Sequence, residues 1–325
     1  MLPVTVLDFE QLHRLRSGAV LAGAQPALFR ITGPGALNCL QGLWTNDLLQ
    51  PEEGAFTYGA LLTPKGMIVA DGWSLRTGDD LTLVLPAAAR DLVATTFLRS
   101  LPPRLATASE ISATTTALHL LGDAAAERWP VLPLGRLPVP GGVLQGETSA
   151  GSFLAAVPTH GPFAILLLGT PEAMAGVGSV LQAAGMARGG VADAEGSRIL
   201  AGWPALGAEI DERTLPQEVR FDEHGGVSYT KGCYTGQETV ARLHFRGHAN
   251  RQLRGIRWHG DRPMDDTILA GDKSVGRIGS LLALPDRVLG LGIVRRELGP
   301  RDRVTAGGAR AEITDLPFSA ADLEG

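Results

Sequence analysis

The chain is poor in cysteine, with two among 325 residues, and almost as poor in lysine, with Lys65, Lys231 and Lys273. Two cysteines far apart in sequence make neither a disulfide framework nor, alone, a metal site. A reducing cytoplasm fits that usage, and no resident metal is expected. No apolar run approaches the roughly 20 residues that cross a bilayer. The longest, Phe163 to Leu168, is strand-sized. The N-terminus lacks a basic region followed by an apolar stretch, so neither a secretory leader nor a membrane partner is expected. The net charge of −5 excludes polyanion binding by bulk charge. What remains is ordinary: 44% hydrophobic and 19% charged residues, in a length sufficient for two or three cores.

The pattern of segments predicts an α+β body followed by a small β domain. Helices are expected over Asp8 to Arg16, Pro34 to Gln41 with Thr32 as cap, Pro86 to Leu98, Pro171 to Ala184 and Asp193 to Leu200. Phe56 to Leu62 and Met67 to Leu75 read as a hairpin across Thr63-Pro64-Lys65-Gly66. Pro130 to Gly151, rich in Pro and Gly, reads as a loop or joint. After Arg251, short β-prone runs recur between turn residues, which predicts a sheet or barrel. The expected division is a body over 1–248, with an internal joint near 100–150, and a barrel over 249–325.

The chemically richest stretch is Lys231-Gly232-Cys233-Tyr234-Thr235-Gly236-Gln237-Glu238. Thr235 and Glu238 have capping-box spacing, so a helix is expected to start near Thr235. The helix N-terminus and the Lys231 charge would both favour a thiolate at Cys233. That makes Cys233 and Lys231 the candidate catalytic pair. His224 and His244 are neighbours in sequence and leave a Cys-His hydrolase open.

Other constellations supply candidate binding residues. Arg242, His244, Arg246, His248, Arg251, Arg254, Arg257 and His259 form a basic strip, with no acidic residue between Glu238 and Asp261. An extended segment would put Arg242 to His248 on one face, open to phosphate, polyglutamate or nucleic acid. Arg242 and Arg246 are its candidate ligand-binding members, and a tRNA contact there is one expectation. Arg198 to Glu218 concentrates carboxylates that would grip an amino-pyrimidine edge, with Glu218 the preferred one. Asp71 beyond the hairpin, and Trp44 with Asn46 in a post-helical loop, complete the set.

The signature stretch, continuing to Ala241-Arg242, resembles that of the YgfZ family, which is related to the folate-binding T-protein (aminomethyltransferase) of glycine cleavage. Gln41 to Asp47, Leu62 to Gly66 and Arg198 to Glu218 resemble further segments of that family. The resemblance implies a ring-like folate-binding body with a C-terminal β-barrel. It implies tetrahydrofolate or a derivative in the central hole, with Cys233 facing it. It also implies a role in assembly or repair of iron–sulfur clusters, with iron–sulfur or assembly proteins as partners, including tRNA methylthiolation enzymes. The T-protein's Lys-x-Asp-Phe reads Lys-Gly-Cys-Tyr here, so a thiol stands where that enzyme has a carboxylate. Its paired aspartates are replaced by Val69 and Ala70, with Asp71 directly after. The rival expectation is an aminomethyl transferase using tetrahydrofolate, in which Asp71 matters more than Cys233. The sequence does not decide whether a reaction is catalysed.

Overall fold

A computed structural model describes residues 3–50, 54–78, 80–131, 136–260 and 262–323. Three sheets organise them. The first is antiparallel, in the order Phe56–Leu62, Ile68–Thr77, Asp80–Leu85, Ala27–Thr32, Thr107–Glu110. Its outer face buries Phe29, Leu61, Leu81 and Leu83 against Leu40, Trp44 and the helix Arg90–Ser100, through Val93 and Phe97. Burial of this size, at about 25 cal/mol per Å² of apolar surface, holds the short helices that propensity alone would not.

The second sheet runs Ala187–Gly189, Val20–Ala24, Thr116–Leu121, Ile165–Gly169, Gly151–Val157, Gly142–Thr148. The helix Pro171–Ala183 covers it, capped by Thr170 and packed through Met174, Val177 and Leu181. The third sheet closes. Lys273–Ala283, Thr267–Ala270, Arg303–Ala306, Ala309–Thr314, Arg251–Trp258 and Val288–Arg295 pair in turn, and the last returns to the first as a six-stranded barrel. A seventh strand, Val4–Val6, joins Lys273–Ala283 in parallel, so the N-terminal residues pack into the barrel sheet.

Several expectations need correction. Gly142–Thr148, expected in a loop, is a strand, because Gly151–Val157 offers it a seven-pair antiparallel ladder. The helix Ala36–Gln41 carries no side-chain cap; Thr32 ends the preceding strand, and its hydroxyl lies 3.3 Å from that of Thr107. The signature helix starts at Gln237 behind Gly236, with no side-chain cap, so the Thr235/Glu238 box does not form. Gly236 sits at φ +82, where a Cβ would lie 2.6 Å from the Thr63 carbonyl oxygen. Gly66, at φ +87, would meet the Thr239 side chain at 2.9 Å. Two glycines thus let the hairpin turn and the signature helix interlock.

Candidate functional site

A cavity of about 1040 Å³ opens between the first two sheets and the segment after the helix Val191–Leu200. Tyr58, Asp71 and Trp73 reach it from neighbouring strands, and the two-residue period puts Asp71 and Trp73 on one face. The walls are aromatic. Trp73 stacks on Trp203 at 5.7 Å and 17°, and His119 on Phe163 at 4.4 Å and 15°. Tyr58 meets Trp203 edge-on at 4.7 Å. The surface His119 leaves open faces the cavity, and burial pushes its pKa down to about 4, so the ring is neutral at pH 7.

The polar groups converge. The Tyr58 hydroxyl donates to Asp71 Oδ2 at 2.8 Å, while Asp71 Oδ1 is buried with no hydrogen-bond partner among the described residues. Burial raises the Asp71 pKa to about 6, against the Tyr58 hydrogen bond and the Arg198 charge. Arg198, also in the wall, donates through Nε to Glu195 Oε2 at 2.9 Å and through Nη2 to Glu195 Oε1. It also reaches the Trp203 carbonyl, Glu209 Oε2 at 3.3 Å and Ser280 Oγ of the barrel at 2.6 Å. Burial alone would lower its pKa, but Glu195 and Glu209 outweigh that and hold the guanidinium charged. An aromatic slot with one half-satisfied buried carboxylate suits a flat heterocycle that presents N–H donors.

Of the sequence-predicted residues, only Asp71 lines this cavity. Lys231 does not flank the thiol as a free charge. Its ammonium is buried and donates to the carbonyls of Gln41, Trp44 and Asn46 at 2.7, 2.6 and 2.8 Å. These use all three of its protons. Burial lowers its pKa to about 8, with Asp47 opposing, so the cation persists at pH 7. Lys231 therefore clamps the signature turn onto the loop after Ala36–Gln41, helped by the Thr235 amide donating to the Gly42 carbonyl at 3.0 Å. Cys233 is free and exposed. It is not among the cavity-lining residues, which corrects the expectation that it faces the central space.

The remaining predicted residues serve the scaffold or the surface. Trp44 is wholly buried in the core. The Asn46 amide donates to the carbonyls of Tyr58 and Gly225 at 2.8 and 2.7 Å. Glu218 takes a bidentate grip from Arg251, at 2.8 and 3.1 Å, and accepts the Leu215 amide, so it ties the body to the barrel rather than facing the cavity. Asp211 similarly meets Arg277 of the barrel at 3.2 Å. Arg242, His244 and Arg246 are helical, not extended, so the two-residue spacing scatters them and only Arg242 and Arg246 share a face. Arg254 pairs with Asp315, and Arg257 with Glu312 and Asp322, so part of the strip's charge is offset. Neither histidine is hydrogen-bonded to Cys233 among the described residues: His224 is buried against Trp203 at 3.9 Å, and His244 stacks on Tyr229 at 3.6 Å, with its Nδ1 3.7 Å from Asp222.

Sequence reasoning missed Tyr58, Trp73, His119, Phe163, Glu195 and Trp203 as site residues. They come from six separate segments, and strand alternation marks Tyr58, Trp73 and His119 as core. Only Arg198 and Trp203 carried a signal, by lying in the carboxylate-rich segment.

Comparison with known proteins agrees with this architecture. Residues 13–128 match the family model for the GCVT N-terminal domain. The tRNA-modifying protein YgfZ of Cronobacter sakazakii is 35% identical over 132 residues, which cover 37% of this chain and 40% of that protein. The protein of that name from Edwardsiella ictaluri is 37% identical over 141 residues, covering 38% and 43%. The chain thus spans about two fifths of the length of these curated relatives. The crystal structure of the glycine cleavage system aminomethyltransferase T from Bartonella henselae superposes with a TM-score of 0.80 at 18% identity, over 95% of this chain and 88% of that one. Taken together, the chain carries a GCVT N-terminal domain, is similar to YgfZ proteins over about two fifths of their length, and shares the fold of the glycine cleavage T-protein.

Proposed function

We propose that the protein is a folate-binding factor supporting assembly or repair of iron–sulfur clusters, including those of enzymes that methylthiolate tRNA. The observation that carries the reading is the aromatic cavity with the buried, unpartnered Asp71 Oδ1. The pterin of a tetrahydrofolate is a flat ring with an amino-pyrimidine edge, and it meets both requirements. Asp71 would accept from that edge, Trp73 and Trp203 would wall the ring, and Tyr58 would orient the carboxylate. Bound tetrahydrofolate would supply a carrier for a one-carbon unit. Relatives named as tRNA-modifying proteins support the wider role. Cys233 acts outside the cavity, on a partner. One thiol does not hold a cluster alone, so it would handle sulfur or a cluster edge jointly with the partner protein.

A second reading, an aminomethyl transferase using tetrahydrofolate, is favoured by one observation: Asp71 does stand in the cavity. Two measurements separate the readings. Tetrahydrofolate should quench the tryptophan fluorescence of the wall, and Asp71→Asn should weaken that binding about 10-fold or more, as for loss of a hydrogen bond to a charged group. In bacteria lacking their own YgfZ, wild type should restore methylthiolated tRNA, measured by mass spectrometry, while equally soluble Cys233→Ala should not. Rescue by Cys233→Ala together with aminomethyl-donor turnover would replace the first reading by the second.

A further inference from the structure

We infer that a basic face running from the signature helix into a cleft of the barrel binds the backbone of single-stranded RNA. The cleft, about 980 Å³, is lined by His248, Arg251, Arg254, Arg295, Arg296 and Glu297. The helix Gln237–Arg246 leads directly into it and exposes Arg242 and Arg246 on one side. Carboxylates offset part of this charge: Glu218 on Arg251, Asp315 on Arg254, Glu297 on Arg295 at 3.7 Å, and Asp222 beside His244 at 3.7 Å. Arg242, Arg246 and Arg296 form no ion pair with any described residue. In a chain of net charge −5, such a face selects an anionic partner.

The chemistry favours RNA over an acidic protein. The cations are guanidiniums, whose planar forks match phosphate oxygens. The same helix carries Phe245, 67% exposed, beside the stacked Tyr229 and His244 rings, with ring centres 4.8 Å from Phe245 to His244. Exposed rings among arginines make a platform for unpaired bases. The cleft offers a protein partner little apolar anchorage: Val275 is its one branched aliphatic lining residue, and it is buried. The inference stands apart from the folate reading, because none of these residues lines the aromatic cavity.

Fluorescence anisotropy with a short labelled RNA, on the ligand-free full chain, tests it. Three phosphate contacts predict a log–log salt slope of about −2. The double variant Arg246→Glu/Arg296→Glu should weaken binding about 10-fold or more at low salt and flatten that slope. Phe245→Ala should weaken binding about 5-fold with the slope unchanged. Circular dichroism and the folate titration check that the variants stay folded. Ultraviolet crosslinking of wild type to the same RNA should map to 242–258 or 295–296. No binding at low salt, crosslinks elsewhere, or unaltered affinity in the folded double variant overturns the inference. So does polyglutamate binding as tightly as RNA with no effect of Phe245→Ala, which would assign the face to an acidic polypeptide.

Discussion

Lys231 and Asp71 illustrate how burial sets a residue's role. In sequence, Lys231 is a cation two residues from a thiol. In the fold, its ammonium is the common donor to three main-chain carbonyls. Lys231→Met would leave those acceptors buried without a donor, each costing about 1–3 kcal/mol. The expected loss is about 3 kcal/mol or more in urea unfolding. A Lys231→Met protein with wild-type stability would return the lysine to the thiol chemistry. Asp71 is the converse case. It is the one predicted binding residue in the cavity wall, and its environment, not its neighbours in sequence, leaves one oxygen free for a ligand.

At the scale of elements, the site depends on interlocked turns. The hairpin between Phe56–Leu62 and Ile68–Thr77 touches the start of Gln237–Arg246 through Gly66 and Gly236. Gly236→Ala would add a left-handed alanine, costing about 1–2 kcal/mol, and a 2.6 Å approach to the Thr63 carbonyl oxygen. Together these should lower stability by about 2–4 kcal/mol, read as a drop in melting temperature with the folate affinity of the surviving folded protein retained. An unchanged melting temperature would mean that the interlock is loose. The elements bearing this site were legible where turn chemistry and periodicity agree, as in the hairpin and in most barrel strands. Gly142–Thr148 was not, because its strand character comes from its partners and not from its Gly-rich text.

The whole molecule sets the response to pH. Native Asp71 titrates near 6 rather than 3.8, so between those values the folded form holds a proton that the unfolded form has lost. Its contribution to stability is full below about pH 4 and is lost as pH rises through 6, a difference of about 3 kcal/mol at most. His119 and His224 run the other way. Burial drops them to about 4 and about 3 from 6.5, so their contribution is present above 6.5 and is lost as pH falls. Asp71→Asn should therefore gain stability relative to wild type between pH 4 and pH 7, read from paired melting curves. A difference that is flat with pH would mean that Asp71 is not desolvated. Body and barrel share these effects, because Arg251–Glu218, Arg277–Asp211 and Arg198–Ser280 join them. The sequence by itself determined the class of fold, a small C-terminal β unit and the singular Cys233 turn, since those rest on local periodicity, turn residues and motif, whereas closure of that unit into a barrel is a tertiary pairing. Only the tertiary structure decided which side chains share the cavity and which charges cancel. Tyr58, His119, Phe163 and Trp203 meet across distant segments, while Arg251 and Arg254 pair with carboxylates 33 and 61 residues away. Such pairings follow from long-range packing, which no local pattern encodes.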